Sequence, residues 1–259
     1  MSITSITFNN EAALAGLDKD RLLAMARAGE AVNECQRLLD KASENIVGQC
    51  LAHQGTFYEL DHYPSGDVYD NETHSQYYYH SHRPEGGEHG HFHSFLRAKG
   101  MPADLKPIDY KGEATIPSGD DALAHLIAIA MNQPGQPISL FTVNRWVTDE
   151  SFYTAQDTIA MLDHFKMDHT FPCLAVNQWI TNMVVLFRPQ IEALLIERDK
   201  TLKNWAALHP GIDIYEDRDL ELTSFLSINI ADQIAAINNA LEADAPTHQT
   251  AQKTARQTA

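Results

Sequence analysis

Thirteen histidines occur in the 259 residues, eight of them between His53 and His93 and six between His74 and His93. This density within one short stretch is the feature most able to do chemistry. QYYYHSH (76–82) and HFHSFLR (91–97) have strand composition, and RPEGGEHG between them reads as a hairpin loop. Side chains alternate along a strand, so His80 and His82 share a face with Tyr78, and with His74 if the strand reaches back. His91 and His93 share a face on the second strand, joined by His89 if it begins early. In an antiparallel hairpin with His82 opposite His91, His80 falls opposite His93 and four imidazoles converge.

Four converging imidazoles repel if protonated and leave lone pairs if neutral. A divalent transition metal resolves both, because neutral imidazole nitrogen binds Zn, Fe, Ni or Cu at about 2.1 Å for zinc. His80, His82, His91 and His93 are therefore the candidate ligands. His89, His74, Glu88, Asp67 and Tyr78 are candidates for an extra ligand or outer support, with Glu85, Asp61 and Asp70 as further carboxylates nearby. The competing reading is a solvated turn with histidines on its wet face.

Such a centre supports three functions. A metalloenzyme of hydrolase or oxygenase type would keep an open position for a small-molecule substrate, with Tyr63, Tyr77, Tyr78 and Tyr79 nearby and Arg83 and Arg97 able to hold an anionic group. A closed four-histidine site would suit a metal sensor or buffer. A tyrosine- and histidine-rich hairpin without metal would suit protein interaction. HSHRPEGGE has the double histidine of a cupin motif, but Glu85 comes too early and Glu88 too late. HEXXH, Walker A, GXGXXG strand–turn–helix and GXSXG patterns are absent.

Composition narrows the partners. Hydrophobic residues are 44% and charged residues 21%, as in an ordinary globular chain. The formal charge of −16 argues against nucleic acid and anionic membrane surfaces. No apolar stretch approaches the ~18–20 residues of a membrane span, and the N-terminus lacks a signal-peptide pattern. Three cysteines without a CxxC pair fit a reducing, cytoplasmic setting.

The elements around the hairpin are expected to give an α+β domain over 1–243, a mainly helical body carrying the hairpin or a small sheet. Periodicity predicts helices over 11–53, with Gly29 as a break or kink. The His-rich β region spans 56–97, and 118–243 reads as mainly helical. Within it, Ser118 to Asp121 caps a helix through Met131, Cys173–Leu208 is a long helix split at Pro189, and Leu220–Leu241 is the last helix. Residues 244–259 lack large apolar side chains and read as a disordered tail. VNRWVT (143–148) recurs as VNQWIT (176–181), and both copies are expected to be helical, packing buried tryptophans.

HYPSGDVYD, SQYYYHSHR, GHFHSFLR and the VNRWV/VNQWI pair together resemble an uncharacterised bacterial family, a domain of unknown function, over about residues 15–243. That resemblance implies no reaction, metal or partner, so the chemistry rests on the residues themselves.

Overall fold

The computed structural model describes residues 5–82 and 87–243. Arg83, Glu85 and the tip of the hairpin loop, and the expected tail at 244–259, lie outside the described residues. The chain opens with α1 (Asn10–Ala15), α2 (Lys19–Asp40) and α3 (Ile46–Leu51). Asn9, Asp18 and Asn45 each accept a hydrogen bond from a backbone N–H in the first turn of these helices. Three strands follow: β1 (Tyr63–Tyr69), β2 (Ser75–His80) and β3 (Glu88–Arg97). After a loop come β4 (Leu123–Asn132) and β5 (Pro137–Val143), then α4 (Arg145–Thr148), α5 (Ala155–Met161), α6 (Leu174–Leu186) and α7 (Arg188–Leu208). The last elements are β6 (Leu222–Ser227) and α8 (Ile230–Ala243).

The six strands form one sheet in the order β1-β2-β3-β4-β5-β6, every neighbouring pair antiparallel. This is an α+β fold with the histidines on β2 and β3. One face of the sheet carries Tyr77, Tyr79, Phe92, Ile127, Ile129 and Leu140, which share a core with Met25 and Val32 of α2, Trp179 and Met183 of α6, and Leu194 of α7. Tyr77 also donates to Asn177 Oδ1 on α6 at 2.7 Å, a buried polar tie between sheet and helix layer. The opposite face carries two smaller apolar clusters, Ala128 with Ala130, Phe141 and Val143, and Tyr78 with Phe95 and Leu123.

Several sequence expectations are corrected. The stretch expected to be a helix through Met131 is a short turn at Gly119–Asp121 followed by β4. LAHLIAIAMN is buried on both faces, and such strands read as continuous apolar runs without alternation. The start of the expected last helix is β6, and α8 begins only at Ile230. Gly29 does not interrupt α2. A Cβ there would lie 2.7 Å from Ile234 Cγ1, so the glycine lets α2 and α8 approach closely. The first copy of the echo starts at the end of β5, where Asn144 caps α4, while the second lies wholly within α6.

The long apolar stretch does split beside Pro189: α6 ends at Leu186, Pro189 lies in the first turn of α7, and the two helices are bent by 72° at the break. No single helix among the described residues is long and apolar enough to cross a membrane.

Candidate metal centre

β2 and β3 bring the histidines together, with a register different from the expected one. His80 is paired with His91, and Tyr78 with His93. The expected pairs were His82 with His91 and His80 with His93. A shift of two residues leaves every side chain on its own face, so alternation alone does not choose between the two. The far end of β2 does: Arg97 N–H donates to His74 O at 2.9 Å, and Ser75 stands opposite Leu96. β2 consequently ends at His80, and His82 leaves the ladder.

One ring nitrogen from each of His80, His91 and His93 lies within 4.8 Å of the others, and all three residues are buried. His80 Nε2 and His91 Nε2 are 2.7 Å apart. The rings of His80 and His91, and those of His91 and His93, stand nearly perpendicular with centroids 4.5 and 4.8 Å apart. His82 is adjacent, its centroid 4.9 Å from His80 and 5.0 Å from His91, but it falls outside the close-set group of nitrogens.

The supporting residues owe their positions to two β-bulges, one near each end of β3. At the first, Glu88 pairs with Asn132 and Gly90 with Met131, so His89 is the extra residue. Glu88 thereby joins the face of His91 and its Oε1 reaches His91 Nδ1 at 2.5 Å. His89 points to the other face, where its Nδ1 meets the Tyr79 hydroxyl at 2.6 Å and its ring stacks on Phe57. At the second bulge Ser94 pairs with Ile127 and Phe95 with His125, leaving Leu126 extra on β4. His125 turns onto the histidine face and its Nε2 lies 2.9 Å from His93 Nδ1.

The remaining candidates are spread out. Tyr78 is beside the centre, its ring centroid 5.2 Å from those of His80 and His93. Asp67 acts one step removed: Oδ1 lies 3.0 Å from His62 Nδ1, and Oδ2 accepts from Gln76 Nε2 at 2.6 Å. The His62 ring stacks on Tyr78 at 3.6 Å. His74 is at the opposite end of β2, bonded to the Tyr69 hydroxyl at 2.5 Å. Thus the fold gathers His80, His91, His93, Glu88 and Tyr78, keeps His82 alongside, and sends His89 and His74 elsewhere.

A family model described as a domain of unknown function, DUF6969, matches residues 26–228. The chain belongs to the DUF6969 family. Searches among curated proteins and among solved structures found no match. The chemistry of this DUF6969 chain therefore has to be derived from its own side chains.

Electrostatics around the centre follow from burial. Burial, with a smaller push from Arg198, lowers the His125 pKa to about 3, so its imidazole is neutral at ordinary pH. Glu150, also buried, is pushed up to about 7 against the pull of Arg198, its hydrogen bonds and Arg145. Its Oε2 accepts from the His125 backbone N–H at 2.7 Å, anchoring β4 at the second bulge. Burial also raises the Tyr78 phenol and lowers the imidazole of His89.

His62, His125 and Glu150 escaped the sequence reading as specific members of this DUF6969 site. His125 carried a signal, a lone polar residue within an apolar run of strand length. Glu150 carried none.

Proposed function

We propose that this chain binds one divalent transition metal, zinc, iron, nickel or copper, through His80, His91 and His93, and uses it to act on a small-molecule substrate by hydrolase- or oxygenase-type chemistry. The observation carrying this reading is the buried convergence of three ring nitrogens, with the Nε2 atoms of His80 and His91 only 2.7 Å apart. An ionised Glu88 accepts from His91 Nδ1–H, which leaves a lone pair on His91 Nε2. Without metal that lone pair accepts a hydrogen bond from His80 Nε2–H. A metal ion bound here would take the lone pairs of both Nε2 atoms, the His80 proton moving to Nδ1 in the neutral tautomer.

Three imidazole ligands leave a tetrahedral ion one position for water or substrate, the arrangement of catalytic zinc sites. Iron or copper in the same position would offer dioxygen chemistry instead. His82 favours a second reading. Its ring lies close enough to His80 and His91 for a modest rotation to supply a fourth nitrogen, and a closed site would serve as a metal sensor or buffer.

Elemental analysis of tag-free protein tests the metal, with one equivalent expected. The Co(II)-substituted protein then tests the open position, with one exchangeable water expected for an enzyme and none for the closed form. Protein that takes up none of the four metals at micromolar concentration would rule out the metal reading.

A further inference from the structure

We infer that His125 is a positioning residue for the metal centre: as a hydrogen-bond acceptor at Nε2 it fixes the tautomer of His93 and thereby selects His93 Nε2 as the ligand atom. The inference rests on the metal reading above and adds to it the residue that decides which nitrogen of His93 faces the ion.

The geometry is specific. His125 Nε2 lies 2.9 Å from His93 Nδ1, and both residues are buried. A neutral imidazole has one N–H and one lone pair, and the partner of one nitrogen dictates the state of the other. Were His125 to donate to His93 Nδ1, the His93 proton would sit on Nε2 and block coordination there. With His125 accepting, the proton stays on Nδ1 and Nε2 carries the lone pair that can coordinate the ion. This is the same service that Glu88 performs for His91, but from a neutral partner.

The placement of His125 depends on an irregularity in β4. His93 is paired with Ala128, three residues from His125, and a regular β4 would turn residues 125 and 128 to opposite faces. The bulge that makes Leu126 extra brings His125 onto the His93 side. Leu126 itself joins the helix-side core. Glu150 then holds the backbone of this bend by accepting from His125 N–H. Bulges that re-aim a side chain are characteristic of functional sites.

Full-length wild type, His125→Leu and His125→Gln, each titrated with Zn(II) and Co(II), test the assignment. The leucine variant has no acceptor and should bind 10- to 100-fold more weakly with a shifted Co(II) absorption spectrum. In the glutamine variant the side-chain carbonyl reaches the position of Nε2, and affinity should return to within ~3-fold of wild type. Wild-type affinity and spectrum in His125→Leu would overturn the inference while leaving the metal reading standing, whereas a metal-free wild type would sink both. Long-range 1H–15N correlations on Zn-loaded wild type need no variant to fold. They should show His93 protonated at Nδ1 and His125 bare at Nε2, and the reverse assignment overturns the inference.

Discussion

Glu88 Oε1 lies 2.5 Å from His91 Nδ1, three positions away on the same strand. An odd separation in a regular strand places side chains on opposite faces, so this contact exists only because His89 is bulged out between them. A carboxylate on the outer nitrogen of an imidazole raises the basicity of the inner one and holds the ring still. That relationship generates the first prediction.

Glu88→Gln should retain the fold and weaken Zn(II) binding by 10- to 100-fold, measured by competition with a chromophoric chelator. Equal affinity in the variant would mean that Glu88 is a bystander.

His80, His91 and His93 are buried within one close group, while His82 is outside it. Changing any of the three to Ala should eliminate stoichiometric Co(II) binding, whereas His82→Ala should leave one equivalent bound. If His82→Ala also loses the metal, the site has four protein ligands and the sensor or buffer reading gains.

Gly90 sits beside the first bulge with no room for a side chain. A Cβ would lie 2.5 Å from His80 O and 2.6 Å from the Tyr79 hydroxyl. Gly90→Ala should cost about 2–3 kcal/mol in urea unfolding and lower metal affinity as well, because relieving the clash separates His80 from His91. A stable Gly90→Ala protein with unchanged metal affinity would show that β2 and β3 tolerate separation here.

Glu150 gives a pH prediction. Its pKa is about 7 in the folded chain against an ordinary 4.5, burial being the cause. The folded state therefore holds the proton more tightly, and the contribution of Glu150 to stability is full below pH 4.5, falls between 4.5 and 7, and is flat above. Glu150→Gln removes this fall, so the stability of the variant relative to wild type should rise by about 3 kcal/mol from pH 4.5 to 7, read from urea midpoints. His125 works oppositely, its contribution being present above 6.5 and lost as pH falls towards about 3. The variant should therefore expose a steeper acid loss. A constant difference across pH 4.5–7 would show that Glu150 ionises normally.

Much of the hairpin was legible from residue types. The alternation of Tyr77, Tyr78, Tyr79 and His80 assigns two faces, and the fold keeps them, with Tyr77 and Tyr79 in the helix-side core and Tyr78 and His80 on the other side. What alternation does not supply is register or bulges. Pairing His80 with His91 instead of His93 changes no face, so nothing in the pattern separates the two. Glu88 and His125 have the wrong parity to join His91 and His93, and each arrives through a bulge whose cost is met by tertiary contacts. β4 differs from the helix expected there because a strand covered on both sides has no period, and the cap-like Ser118–Asp121 points to a helix. LTSFLS in β6 is short, and among the described residues its ladder is with β5, so its identity comes from a partner some 80 residues away in the chain.

The division of labour between the two sides of the sheet has an evolutionary consequence. The side packed on α2, α6 and α7 supplies most of the apolar burial and so dictates whether the chain folds. The imidazole side carries the two smaller apolar clusters, so its reactive groups can change while the larger core stays intact. Descendants of one ancestral scaffold could thus diverge in chemistry without first having to regain a stable architecture.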